Sequence, residues 1–279
     1  MEKYSRLRDF ISTLPEITLV EAPAANDTQL LYAHDPSYLL KIRDGNLSST
    51  ELKEIGFPWS EKMVERSRRS AGATIAAAKS ALQEGISGNL AGGTHHAYRN
   101  RGSGFCVFND SAVAARTLQK EINAKLRIAI IDLDVHQGNG TASILKQDQT
   151  IFTLSIHGEN NFPFHKEVSD LDCGLNDDCN DQTYLHTLSE CLDQLDNRFR
   201  PDCIIFLAGA DPHEDDRLGR LKITKEGMRL RDEAVFQYGL DRNIPIAFSM
   251  AGGYGKEIAT TVAIHYQTIQ TALHFQKRY

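Results

Sequence analysis

Residues 127–136 read Arg127-Ile128-Ala129-Ile130-Ile131-Asp132-Leu133-Asp134-Val135-His136. The apolar run Ile128 to Ile131 is too short for a helix of its own. Its β-branched content suits a strand buried on both faces of a parallel sheet. Two acids and a histidine follow at alternating positions as the strand ends. The period of two in extended backbone puts Asp132, Asp134 and His136 on one side. Carboxylate oxygen and imidazole nitrogen are donors that zinc accepts, and open α/β sheets place their sites at the carboxyl ends of strands. An Asp-rich turn capping the next helix is the ordinary alternative, and this stretch alone does not exclude it.

Working outward, the same pattern recurs. Strands are expected at 88–91, 127–133, 150–156, 203–208 and 244–250. Helices are expected at 60–84, 110–123, 139–146, 182–197, 224–240 and 255–275. Ser60 is placed to cap the first of these helices and Gly85 to end it. Residues 1–59 mix short helical patterns with turns such as Asp44-Gly45-Asn46. Strands alternating with helices predict an α/β fold with a mostly parallel sheet covered on both faces. No linker, low-complexity tract or repeat interrupts residues 1–279, so a single domain is expected.

Five groups of unusual residues follow the strands: Gly92-Gly93-Thr94-His95-His96, Asp132 to His136 with Gln137-Gly138-Asn139-Gly140, Ser155-Ile156-His157-Gly158, Ala208-Gly209-Ala210-Asp211-Pro212-His213, and Ala251-Gly252-Gly253-Tyr254-Gly255. Taken singly, each has a structural explanation: tandem histidines in an exposed loop, glycines in a tight turn, an aspartate capping a helix. In a parallel sheet, however, all five ends lie along one edge and converge despite their separation in sequence.

The bulk properties bound the partners. The chain has 279 residues, 41% hydrophobic and 24% charged, with a formal net charge of −6. Without a long basic run, nonspecific nucleic-acid binding is not expected. The five cysteines, 106, 173, 179, 191 and 203, form no Cys-x-x-Cys pair. That usage predicts a reduced, cytoplasmic protein without a disulfide framework. The polar opening Met1-Glu2-Lys3-Tyr4-Ser5-Arg6 is unlike a signal peptide. No apolar run reaches the ~20 residues of a membrane helix.

The segments GGTHHAYRNRGSGFCVFND (92–110), IDLDVHQGNGT (131–141), TLSIHGENNFPF (153–164), GADPHEDDRLG (209–219) and AGGYG (251–255) together resemble the zinc-dependent histone deacetylase superfamily. That superfamily includes acetoin-utilisation proteins and acetylpolyamine amidohydrolases. The Gln-Gly-Asn-Gly and Ala-Gly-Gly-Tyr elements are most similar to the class IV branch and its bacterial relatives. The resemblance implies an arginase-like three-layer α/β/α domain with a central, mainly parallel sheet and the active site at the C-terminal strand ends. It implies Asp134, His136 and Asp211 as ligands of one catalytic Zn2+. It implies His95 and His96 as the catalytic histidine pair and Tyr254 as donor to the substrate oxygen. Asp132 would hold His95, and Asn139 would partner His96. Phe105 and Phe162 would wall a tunnel for the acyl-lysine, with Gly104 accepting the substrate amide. A structural K+ would lie at Asp132, Ser155 and the carbonyls of Asp134, His136 and Ile156.

Three departures matter. Many relatives carry Asp where this chain has Asn139, and a neutral amide stabilises an imidazolium less than a carboxylate does. His213 looks like a ligand but is read as structural or as lining the pocket, and His157 is read as structural. The first strand that precedes the segment like Glu2-Lys3-Tyr4-Ser5 in relatives is absent here.

The function implied is zinc-dependent hydrolysis of an N-acyl lysine amide, acetyl or longer, in a protein or peptide. Alternatives are an acetylated small amine such as a polyamine as substrate, a di-manganese hydrolase of arginase type, and an acyl-lysine-binding protein without catalysis. The di-manganese reading needs more bridging acids than Asp134 and Asp211 provide. No membrane partner is expected, and oligomeric state is not legible.

Overall fold

A computed structural model describes residues 2–279. Met1, the first residue of the polar opening and of the expected 1–279 unit, lies outside the described residues. One sheet of six strands runs β1 (Ile86–Asn89), β6 (Ile246–Ser249), β5 (Cys203–Leu207), β2 (Ile128–Asp132), β3 (Ile151–Gly158), β4 (Leu171–Leu175), in that spatial order. Every pairing is parallel, so the expected mainly parallel sheet is wholly so.

Alternation along the central strands divides the core in two. Ala129 and Ile131 of β2, with Ile204 and Phe206 of β5, face one apolar layer. Ile128 and Ile130, with Cys203, Ile205 and Leu207, face the other. On the first face lie α8 (Asp181–Arg198), α9 (Lys225–Arg242) and α10 (Ile258–Gln276). On the second lie α5 (Glu61–Glu84) and α6 (Asp110–Glu121). The result is the three-layer arrangement that right-handed strand–helix–strand crossovers generate. Local chemistry sets the helix starts: Ser60, Asn109, Asn180 and Thr224 each accept a backbone N–H of the following first turn. The amino-terminal third adds α1 (Glu2–Ile11), α2 (Asp27–Leu31), α3 (Pro36–Asp44) and α4 (Ser49–Ile55). The remaining helix, α7 (Asn139–Leu145), lies between β2 and β3.

Two strand expectations need correction. The first strand is Ile86–Asn89 rather than 88–91, because Leu90 and Ala91 already belong to the turn toward the histidines. The edge strand β4 has no counterpart among the expected strands. Its residues Leu-Asp-Cys-Gly-Leu carry an acid and a glycine, both disfavoured in strands, and one side of an edge strand faces water. At the opposite edge no strand lies beyond β1 among the described residues. A groove of about 1490 Å³ runs along that edge, lined among others by Ile17, Val20, Asn89 and Ile269.

One buried ion pair braces the functional edge. Arg231 of α9 is wholly buried and donates to the carbonyls of Gly209 (2.5 Å) and Leu133 (3.4 Å), just before Asp211 and Asp134. Its charge is matched by Asp232 at 2.7 Å, which also accepts the Thr268 hydroxyl of α10. The planar fork of arginine is what allows one side chain to satisfy a carboxylate and two turns at once.

His34 gives the fold a pH limit. Its Nδ1 donates to the Arg99 carbonyl (3.3 Å), and its Nε2 accepts the Asn109 N–H (2.9 Å) that leads into α6. Both nitrogens are thereby committed in the neutral ring, and burial pushes the imidazole down to about 4. The folded state then binds fewer protons than the unfolded chain. Stability is present above the ordinary histidine range and is lost as pH falls toward the folded value. The loss reaches about 3 kcal/mol in acid. Urea midpoints measured at about pH 7 and about pH 4.5 should therefore fall more steeply for the wild type than for His34→Gln. Equal slopes would remove His34 as a cause.

Candidate active site

The alternation begun in β2 continues past its end. Leu133 and Val135 stay in the apolar layer, while Asp132, Asp134 and His136 turn to the opposite side. Each turn is locked by its neighbours: Asp134 N–H donates to Asp132 Oδ1 (3.2 Å) and His136 N–H to Asp134 Oδ1 (3.0 Å). The Val135 N–H donates to Asp211 Oδ1 at 2.9 Å, which draws the end of β5 against the end of β2.

Asp134, His136 and Asp211 each offer a ligand atom, all within 4.8 Å of one another. His136 Nδ1 lies 3.0 Å from Asp134 Oδ1 and 3.4 Å from Asp211 Oδ2. Around a tetrahedral ion with bonds near 2.0–2.1 Å, donors sit about 3.3 Å apart. Asp211 Oδ2 is buried and makes no hydrogen bond. Burial and the charge of Asp134 push the Asp211 carboxyl up to about 6. Gly252 closes the cradle: a Cβ there would overlap Asp211 Oδ2 and crowd Asp134 Oδ2. An orphaned oxygen, concentrated negative charge and a glycine wall fit a cation held by these three residues.

Those histidines have unlike partners. His95 Nδ1 lies 2.7 Å from Asp132 Oδ2. Burial disfavours its charged form, but the Asp132 and Asp134 carboxylates outweigh it and raise the ring to about 9. His96 Nδ1 lies 2.7 Å from Asn139 Oδ1, so it carries the proton and leaves Nε2 bare. The Asn139 amide is oriented by donating to the Tyr98 hydroxyl at 2.9 Å. Burial, then the positive neighbours His95 and His136, hold His96 well below the ordinary imidazole range. The ring centroids lie 4.1 Å apart, with the planes tilted by 46°. Two identical side chains are thus driven in opposite directions by their surroundings.

Residues 1–269 match the Histone deacetylase domain. The chain belongs to the histone deacetylase family. It is 44% identical over 83% of its length to an uncharacterised protein of Picosynechococcus sp., covering 77% of that protein. It is 32% identical to Histone deacetylase 2 of Arabidopsis thaliana, over 94% of this chain and 70% of that one. It is 30% identical to the acetoin utilization protein AcuC of Bacillus subtilis, over 88% and 68%. Two solved structures share the fold. One is an HDAC homolog complexed with SAHA, with TM-score 0.84, 23% identity and coverage of 99% and 77%. The other is the HDA15 HD domain, with TM-score 0.80, 21% identity and coverage of 98% and 83%. The sheet and its flanking helices are accordingly the arginase-like α/β/α arrangement. The family is one of hydrolases that deacetylate acetylated substrates. Among the described residues, no helix is long and apolar enough to cross a membrane.

In this histone deacetylase-family chain the aromatic residues rim the pit. The Phe162 ring meets His96 edge-on at 4.9 Å, and Phe105 lies 6.3 Å from Tyr254. Phe105, Phe162 and Tyr254 remain 49%, 37% and 41% exposed. Gly104 and Phe105 donate their N–H groups to the carbonyls of Glu54 and Ile55 at the end of α4. Phe57 backs Phe105 at 5.3 Å and is a wall residue the sequence did not single out. Burial keeps the Tyr254 hydroxyl protonated, pushed up to about 12.

The remaining expected residues fall as follows. Ser155 is paired in register with Asp132 across β2 and β3, and its hydroxyl meets His157 Nδ1 at 2.9 Å. His213 Nδ1 accepts the Asp215 N–H and stands outside the ligand cluster. Lys3 is a further residue that sequence reasoning missed. Its ammonium donates to the carbonyls of Ala251 (3.3 Å) and Gly253 (3.2 Å) and lies 5.4 Å from the Tyr254 ring centroid. A lysine on an exposed amphipathic helix carries no local signal of such a role.

Proposed function

We propose that residues 1–279 act as one catalytic unit that hydrolyses the amide of an N-acyl lysine, acetyl or longer, releasing carboxylate and free amine. The observation that carries this reading is the pair of buried histidines with unlike partners, carboxylate and amide, set over three convergent metal-ligand atoms. A divalent ion held by Asp134, His136 and Asp211, zinc in this reading, would supply Lewis-acid polarisation of the scissile carbonyl and of water.

The chain's own residues supply the rest. Nε2 of His96, bare because Nδ1–H is spent on Asn139, takes the proton of the attacking water and returns it to the leaving amine. His95, held charged by Asp132, stabilises negative charge as the tetrahedral species forms. The Tyr254 hydroxyl donates to the developing oxyanion, a role that needs the protonated phenol. Phe105 and Phe162 flank the aliphatic stem of the lysine, and the Gly104 carbonyl accepts its amide N–H. Asp132 and Ser155, neighbours across β2 and β3, are the proposed side-chain ligands of a structural K+, with the carbonyls of Asp134, His136 and Ile156. The cytoplasm is the proposed location.

Turnover of acyl-lysine peptides of several acyl lengths, compared with acetylated polyamines on the zinc-loaded protein, tests the reading. Peptides are expected to be turned over faster, with activity removed by chelation and restored by zinc. A preference for polyamines would transfer the site to small amines. Inertness toward every amide, with metal bound, would leave a binding protein.

A further inference from the structure

Tyr254 sits in a loop that does not hold itself. Ala251 (φ 48°) and Gly253 (φ 136°) both lie in left-handed backbone, so the direction in which Tyr254 leaves the loop depends on outside bonds. Both of its peptide groups are held by one dipeptide. The Tyr254 N–H donates to Asp216 Oδ2 at 2.6 Å. The Tyr254 carbonyl accepts the Arg217 N–H (3.2 Å) and Nε–H (3.1 Å). Asp216 and Gly255 form an antiparallel bridge beside them.

Asp216 is only 7% exposed, and its carboxylate divides its work. Oδ1 accepts the N–H groups of Leu218 (2.8 Å) and Gly219 (3.0 Å), which folds its own loop, while Oδ2 serves Tyr254. That loop begins at Asp211, so the residue that holds the tyrosine is built on the segment that delivers a metal ligand.

We propose that Asp216 is a positioning residue for Tyr254, aiming its hydroxyl by holding its peptide N–H and tying that aim to the Asp211 loop. The proposal rests on the reading of Tyr254 as the oxyanion donor. Asp216→Asn is a selective probe. The asparagine oxygen takes the place of Oδ1, which serves two donors, and its NH2 group then faces the Tyr254 N–H, which it cannot accept.

Turnover is measured for Asp216→Asn, Tyr254→Phe and the double variant, all with metal content determined. The single Asn variant should lose roughly 10–100-fold in kcat, the scale of a misaimed catalytic group, with a much smaller change in KM and unchanged metal content. The double variant should be no slower than Tyr254→Phe, because a residue acting only through Tyr254 has nothing left to aim. Undiminished kcat, or losses that multiply in the double variant, would overturn the proposal. Hydrogen exchange in the wild-type protein is independent of hydrolysis and of how the variants fold. The Tyr254 amide should exchange slowly, and rapid exchange would also overturn the proposal. A wild type that hydrolyses no amide but protects that amide would count against the functional reading and leave the hold by Asp216 standing.

Discussion

The Asp211→Asn protein is expected to fold, to lose tight zinc binding and to lose amide hydrolysis with it. The substitution is nearly isosteric. The asparagine oxygen keeps the bond to the Val135 N–H that Asp211 Oδ1 makes at 2.9 Å, so the ends of β2 and β5 stay joined. What changes is the other atom, Oδ2, which has no hydrogen bond and becomes a neutral NH2 that cannot ligate. Removing a residue behind a metal ligand typically costs 10–100-fold in affinity, so removing the ligand charge itself should exceed about 100-fold. The metal-free variant should be no less stable than the metal-free wild type, since a buried carboxylate beside Asp134 has been neutralised. Metal content after dialysis and competition with a chelator read the first effect, and urea denaturation reads the second. A variant that retains one tightly held zinc per chain would remove Asp211 from the ligand set.

His96→Ala should lower kcat by roughly 10²–10⁴-fold, the range expected for loss of general acid–base assistance, with zinc binding kept. Its companion, Asn139→Asp, separates the base from mere packing. A carboxylate beside Nδ1–H stabilises the imidazolium and raises the ring pKa. The base is then free only at higher pH, so the acidic limb of the kcat profile should move upward while His96 remains in place. Near-normal turnover in His96→Ala, or an unmoved limb in Asn139→Asp, would assign the proton transfer elsewhere.

Much of this was legible because the chemistry sits where periodicity changes. In Arg127 to His136 an apolar strand becomes an alternation of acids and core residues, and that transition reports both the sheet and the site. The parallel topology then collects His95, His96, Asp211 and Tyr254 without further information. The parts that escaped lack a local signal. β4 is an edge strand whose acid and glycine read as a loop. β1 is displaced by two residues because Leu90 and Ala91, apolar as a strand would be, already belong to the turn that follows. Lys3, Asp216 and Arg217 are ordinary charged residues until tertiary structure presents them with the backbone of the 251–254 loop. Helix capping, by contrast, was read correctly at Ser60, because that bond is made within one turn.

The place of β6 has a consequence for the birth of the molecule. In the sheet, β1 touches only β6, and β6 lies between β1 and β5. On the ribosome, residues 86–89 therefore wait for residues 246–249 before they gain a strand neighbour. Lys3 waits as long for the carbonyls of Ala251 and Gly253. Until then the edge strand β1 is separated from β5 by an open gap, and closing it requires β6 to insert between two segments already made. Such late, long-range closure slows folding and exposes apolar edges to aggregation and to chaperones. No nascent chain that ends before residue 254 contains the loop that carries Tyr254, so Asp216 and Arg217 wait for their backbone partners as well.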